Sequence, residues 1–277
     1  MKISLQSIAF SGAVMLLLAS CNKDKTTLTP ITLAPTVVQE YSVRLSAANE
    51  IAANTRTETS IASVKIFSDN SVTLSSTFTN FAAGDAITMA HIHLGDAVNN
   101  GPVVLPFTIV ATGANVEAKA TGIRQTLIDS LKNNVTDFYV NIHSTQLPGG
   151  LARGQIGKNI LQAYSVSLSG LNEPTPVTTT ATGVAILRID EDYKLISKIT
   201  ISDMETADTL RFAHIHFGAT GLNGPVITNL ADTRNDFSNT QSRIIRATLS
   251  DTIATRTVYV NVHSNFSPGG KLRGQIR

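Results

Sequence analysis

Six histidines are the residues of this chain best suited to chemistry, and their spacing is doubled. His91 and His93 lie in AHIHLGDAVNNGPVV, and His143 lies in YVNIHSTQLPGG. His214 and His216 lie in AHIHFGATGLNGPVI, and His263 lies in YVNVHSNFSPGG. Residues two apart on a strand project from the same face, so each His-x-His pair presents two imidazoles together. The same alternation puts Tyr139, Asn141 and His143 on one face of a second strand, with Tyr259, Asn261 and His263 on its counterpart. If the two strands of each copy are neighbours, three imidazoles converge. Three neutral imidazoles suit zinc or copper, with water completing the shell. The same residues also form rigid networks with Asn, Tyr and backbone groups, which would fix the glycine-rich loops beside each motif. Each triad is then either a metal site or a structural or binding cluster. The second is the main expectation here.

Arg153 and Arg273, in the RGQI motif that ends each copy, are expected to pair with a carboxylate or cap a loop as part of that cluster. Glu50 and Glu173 are the nominees for acid/base partners if a metal were used for hydrolysis. No catalytic residue is assigned. Neither G-x-x-x-x-G-K-[ST] nor G-x-G-x-x-G occurs, which removes the common phosphate-binding loops. Lys and Arg number 22 against 20 Asp and Glu, and they are scattered, so no nucleic-acid partner is expected.

The elements that must carry these motifs are strands. Tyr41-Ser42-Val43-Arg44-Leu45-Ser46 returns as Tyr164-Ser165-Val166-Ser167-Leu168-Ser169, and the AHIH motifs share that offset of 123. The YVN, PGG and RGQI motifs are offset by 120, so the copies differ by a net three residues. Period-2 patterns predict strands at 61–67, 72–79, 138–143, 184–189, 195–201 and 257–263. One short helix is predicted, at 126–133. Asn100-Gly101-Pro102 and Asn223-Gly224-Pro225 read as tight turns in which glycine permits positive φ, and Pro148-Gly149-Gly150 and Pro268-Gly269-Gly270 read similarly. The expected fold is all-β: two Greek-key β-sandwich or barrel domains at 41–157 and 164–277, joined by a linker short enough that the domains pack together.

Residues 1–20 read as a signal peptide: Lys2 precedes an apolar run from Ile8 to Leu18, too short to span a bilayer. Leu18-Ala19-Ser20-Cys21 resembles the lipobox of bacterial lipoproteins, so Cys21, the single cysteine, is the expected lipidation site. Membrane attachment would come from its acyl chains. Asn22, where lipoproteins of enteric bacteria carry Asp for inner-membrane retention, favours the outer membrane. Residues 21–40 read as a lipidated tether, rich in Thr and carrying Pro30 and Pro35. With no second cysteine, an internal disulfide is excluded.

Taken together, AHIH-x-G followed by NGPVV or NGPVI, YVN-[IV]-HS, PGG and RGQI resemble the CHRD domain, the module named after chordin and also found in bacterial secreted proteins. Leu168-Ser169-Gly170-Leu171-Asn172-Glu173-Pro174 is similar to the family's leading strand and turn. The first copy departs at Asn49-Glu50-Ile51-Ala52, which lacks the proline, so a looser first loop is expected there. Leu151-Ala152 replaces Lys271-Leu272, which reads as a minor change. The resemblance implies a β-sandwich or an immunoglobulin-like Greek-key barrel. The His-x-His strand is also similar to the copper–zinc superoxide dismutase pattern, without that enzyme's further ligand spacing or disulfide. The function expected from all this is a lipid-anchored envelope module that binds a protein or glycan or is structural, with a zinc- or copper-binding protein as the alternative.

Overall fold

The computed structural model describes residues 33–52, 54–133 and 137–276. The predicted leader, Cys21 and the tether through residue 32 lie outside the described residues. Strand β1 (Val37–Ser46) begins inside the segment read as tether, so the fold takes up its last four residues. Among the described residues no helix is long and apolar enough to cross a membrane.

In the first copy β1 is followed by β2 (Thr59–Phe67), β3 (Val72–Thr77), β4 (Ile87–Leu94), β5 (Val103–Pro106), β6 (Thr108–Thr112), β7 (Asn115–Ala120), β8 (Phe138–Ser144) and β9 (Ala152–Gln155). They form one antiparallel sheet in the order β5-β4-β8-β9-β1-β2-β3-β7-β6. Its two edge strands, β5 and β6, are separated in the chain by Phe107 alone. A sheet whose edges are joined by one residue must curl until they meet, and the Phe107 N–H donates to Ala90 O on β4 at 3.1 Å. The result is a nearly closed antiparallel barrel or sandwich, which leaves little exposed edge.

The second copy has β10 (Ile160–Ser169), β11 (Thr182–Asp190), β12 (Lys194–Ser202), β13 (Leu210–Phe217), β14 (Val226–Ala231), β15 (Gln241–Ile244), β16 (Val258–Ser264) and β17 (Leu272–Gln275). Their order, β14-β13-β16-β17-β10-β11-β12-β15, repeats the first sheet without a counterpart of β6. Every predicted strand is present. The predicted helix is α1 (Gln125–Asn133), and α2 (Ala247–Thr255) occupies the matching place in the second copy. The α2 sequence ATLSDTIAT gave no helical signal because its three threonines are poor helix formers. Burial of Ile253 decides the matter.

The alternation holds in the core. Val43, Leu45, Val64, Ile66, Ala90, Ile92, Val140 and Ile142 pack inside the first barrel, and their equivalents fill the second. The motif strands β8 and β16 are buried along their whole length. Their inner face meets the core, while the polar outer face lies beneath loops.

The two domains pack together, as the short linker predicts. Arg188 on β11 is fully buried and reaches across the junction, its Nη2 donating to Asn49 O at 3.2 Å and Glu50 O at 2.9 Å. The start of the loop expected to be looser is thus held, while its residue 53 lies outside the described residues. Where the second copy has Pro174, the Asn49–Glu50 turn is held by a guanidinium from the other domain. The replacement of Leu151 by Lys271 is likewise not minor. Lys271 Nζ pairs with Asp208 at 2.9 Å and Glu205 at 2.7 Å. In the first copy the matching buried carboxylate, Asp85, is neutralised from another loop by Arg56 at 2.9 Å. One buried charge has two solutions, so a leucine fits at 151 and a lysine at 271.

Candidate metal centre

Strands β4 and β8 are neighbours, and their register sets His93 opposite Tyr139, His91 opposite Asn141 and Met89 opposite His143. Strands β13 and β16 repeat it, with His216 opposite Tyr259 and His214 opposite Asn261. The imidazoles do converge. One ring nitrogen from each of His91, His93 and His143 lies within 4.8 Å of the others, and the same is true of His214, His216 and His263.

The loops decide which nitrogens face inward. Nδ1 of His93 lies 2.9 Å from Gly101 O, and Nδ1 of His143 lies 2.9 Å from Pro148 O. A carbonyl only accepts, so both Nδ1 atoms carry the proton and both Nε2 atoms are left with a free lone pair. The second copy does the same with His216 to Gly224 O at 2.9 Å and His263 to Pro268 O at 3.0 Å. Nδ1 of His214, Nε2 of His216 and Nε2 of His263 are all buried without a hydrogen-bond partner, and so is Nε2 of His93. In the first copy Nδ1 of His91 and Nε2 of His143 stand 3.3 Å apart. That is close to the edge of a tetrahedron of nitrogens about 2.0–2.1 Å from a zinc ion.

Glycine at the NGP turn is needed for close approach rather than for positive φ, which corrects the expectation. A Cβ on Gly101 would sit 1.5 Å from Leu94 O, and one on Gly224 would sit 1.6 Å from Phe217 O. Only a bare backbone brings the carbonyl to His93 or His216. The second glycine of each PGG turn does use the left-handed region, with φ +144° at both Gly150 and Gly270.

A stack orients the inner imidazole. The His93 ring lies 4.8 Å from Tyr139, nearly parallel, and the Arg153 guanidinium sits 3.4 Å over the far face of that tyrosine. The second copy has His216 on Tyr259 at 5.0 Å and Arg273 over Tyr259 at 3.4 Å. Each tyrosine hydroxyl accepts from the turn glycine, Gly101 N at 3.1 Å and Gly224 N at 3.2 Å. Arg153 caps the 96–100 loop through the carbonyls of Asp96 and Asn99 and the side chain of Asn100. Arg273 caps Ala219 O and Leu222 O. Both arginines thus cap loops and support the tyrosine rings.

Asn141 donates to Glu50 at 3.0 Å, and Asn261 donates to Glu173 at 2.6 Å. Both glutamates are buried, and among the described residues no hydrogen bond joins either to a histidine. They brace the strand rather than serve the triad. Burial pushes the Glu50 carboxyl up to about 7, against the pull of Arg153, Asn141 and Arg188. Burial also lowers the imidazoles: His91 and His93 fall below the usual value, and His214 falls to about 4, with repulsion from its neighbouring histidines adding to the effect. Burial therefore favours the neutral form, the one that binds metal, at His91, His93 and His214.

The sequence motifs contained every one of these histidines but not the carbonyl locks. Their signal was present: the spacing of eight from His93 to Gly101 and five from His143 to Pro148 recurs from His216 to Gly224 and from His263 to Pro268. Also unforeseen is Phe212, whose ring lies 5.0 Å from His214 and 4.7 Å from His263.

The model of the CHRD domain family matches residues 41–156 and 164–276, most of the chain. No curated protein and no solved structure matches it. With two matches that coincide with the two barrels, and a histidine triad at the same place in each, the chain belongs to the CHRD family as a tandem of two CHRD domains.

Proposed function

We propose that this chain is a lipid-anchored metal-binding protein of the cell envelope, each domain holding one zinc or copper ion on its three imidazoles. The observation that carries the reading is the set of ring nitrogens left without partners, with the proton of two histidines in each triad fixed on the opposite nitrogen by a backbone carbonyl. Three protein ligands leave a fourth position for water or an exogenous group. Among the described residues neither Glu50 nor Glu173 is hydrogen-bonded to a triad histidine, so the reading is one of binding, without an assigned reaction. Of the architectures the family resemblance allows, the His-x-His strands favour the superoxide-dismutase-like one.

The anchor rests on the lipobox-like Leu18-Ala19-Ser20-Cys21, and the outer membrane is the favoured location because Asn22 follows. The tandem arrangement also suits a protein or glycan partner, since two linked modules gain avidity when both engage.

Metal analysis of the purified full chain after equilibration with zinc or copper tests the reading. Two equivalents are expected, one of them lost in His143→Ala and the other in His263→Ala. Retention of no metal, or unchanged retention in both variants, would overturn it. Mass analysis of the envelope-extracted protein tests the anchor: a lipid adduct on Cys21 is expected, and an unmodified Cys21 would remove that part.

A further inference from the structure

The two triads are not walled alike. In the second copy Phe212 precedes His214 by two residues and shares its strand face, and its ring packs on both His214 and His263. A phenyl ring offers a metal no σ lone pair, and it closes that side of the site. At the matching position the first copy has Met89. Met89 is two residues before His91, stands in register opposite His143, and is 42% exposed. Side chains related in these two ways are neighbours on one face of a sheet. The thioether is therefore placed where the phenyl ring of the other copy contacts two imidazoles, and an unbranched side chain can adjust to that space.

The charges differ too. The Arg211 guanidinium sits 5.2 Å over the Phe212 ring, whereas the first copy has Thr88 at that position. Asp232 offsets that cation at His214, and Arg153 acts on His93 in the first copy, so the wall residues and not the net charge distinguish the two sites.

We propose that Met89 is a fourth, soft ligand that makes the first site selective for Cu(I), while the second, closed by Phe212, remains a three-imidazole site. This rests on the reading of the triads as metal sites. Thioether sulfur favours Cu(I), whereas imidazole alone serves zinc and copper alike. The chain then carries two unlike sites on one scaffold, and residue 89 or 212 sets the difference.

The test uses the full chain with Cu(I) supplied anaerobically against a chromogenic Cu(I) chelator, and X-ray absorption at one equivalent of copper. The first equivalent should bind at least about tenfold more tightly than the second, the scale on which groups around a site tune it, and should show sulfur in its coordination shell. Met89→Leu is a volume-conserving change at an exposed position. It should remove the sulfur shell and the affinity gap, with the three imidazoles of the first site still able to take up zinc. Phe212→Met should add sulfur to the second site. A sulfur shell and an affinity gap that survive Met89→Leu would overturn the assignment of Met89 and leave the triads standing as metal sites. Uptake of neither Cu(I) nor zinc by the parent chain would overturn both.

Discussion

Gly101→Ala is the sharpest test of how the loops set the triads. The new Cβ would fall 1.5 Å from Leu94 O, and real Cβ contacts do not go below 3.0 Å, so the turn must retreat by about 1.5 Å. Three hydrogen bonds depend on its present place: Gly101 N to the Tyr139 hydroxyl at 3.1 Å, Leu94 N to Pro102 O at 3.0 Å, and His93 Nδ1 to Gly101 O at 2.9 Å. A shift of that size breaks all of them, and at about 1 kcal/mol each the loss is about 3 kcal/mol. The third loss matters most for function, because it frees His93 to exchange its tautomer. Removal of such an orienting partner weakens metal binding by about 10- to 100-fold. Urea unfolding, together with metal retention against a competing chelator, reads both effects. One of two equivalents should be released early, and Gly224→Ala, whose Cβ would meet Phe217 O at 1.6 Å, should release the other. A Gly101→Ala chain within about 0.5 kcal/mol of the parent, with both ions held as before, would refute the claim that this carbonyl fixes His93.

Two further predictions concern stability. Because the Glu50 carboxyl is raised to about 7 by burial, the folded chain binds its proton more tightly than the unfolded chain does. The stabilisation is full below the unfolded value, near 4.5, and is lost as pH rises through about 7. The change is about 3 kcal/mol, and Glu50→Gln should flatten it in unfolding curves taken from pH 4 to 8; an unchanged slope would show that another group is responsible. Lys271→Leu, which copies Leu151 of the first domain, should cost about 3 kcal/mol, because it leaves Asp208 buried without its cation. Denaturant unfolding measures the loss, and adding Asp208→Asn should restore part of it.

Much of the fold and the site was legible from alternation and repetition. The period-2 pattern put Tyr139, Asn141 and His143 on one face and Val140 and Ile142 on the other, and the strands are built that way because the face that meets the core must be apolar. Repetition located both barrels. Relations between distant segments left no local mark. Arg188 looks like an ordinary charged residue on a half-buried strand, and its counterpart Lys65 lies at the surface pairing with Glu40. Only the packing of one domain on the other turns Arg188 into the clamp on Asn49 and Glu50. Lys271 is similar: its role follows from Asp208, sixty-odd residues earlier, and from the absence of an Arg56 equivalent. The tautomers were hidden for a further reason. They are set by backbone oxygens, which every residue carries and which the sequence therefore cannot distinguish.

Those oxygens bear directly on the choice between a structural cluster and a metal site. A hydrogen-bond network that existed for its own sake would satisfy its members, because a buried polar atom without a partner costs about 1–3 kcal/mol. The triads do the reverse. Carbonyls take the outward protons of His93, His143, His216 and His263, and so leave two lone pairs in each cluster with no proton of their own. The remaining histidine can lend one proton to one of them, as His91 does toward His143 at 3.3 Å, and His93 Nε2 is then still unpartnered. Adding a proton at His91 or His214 is opposed by burial and by repulsion from the neighbouring imidazoles. A cation with vacant coordination positions accepts three lone pairs at once and needs no proton. The same lock appears in both domains although the walls around it differ, Met89 in one and Phe212 in the other. The lock therefore favours the proposed ion site over a purely structural cluster, and on that reading the wall residue sets which ion is chosen.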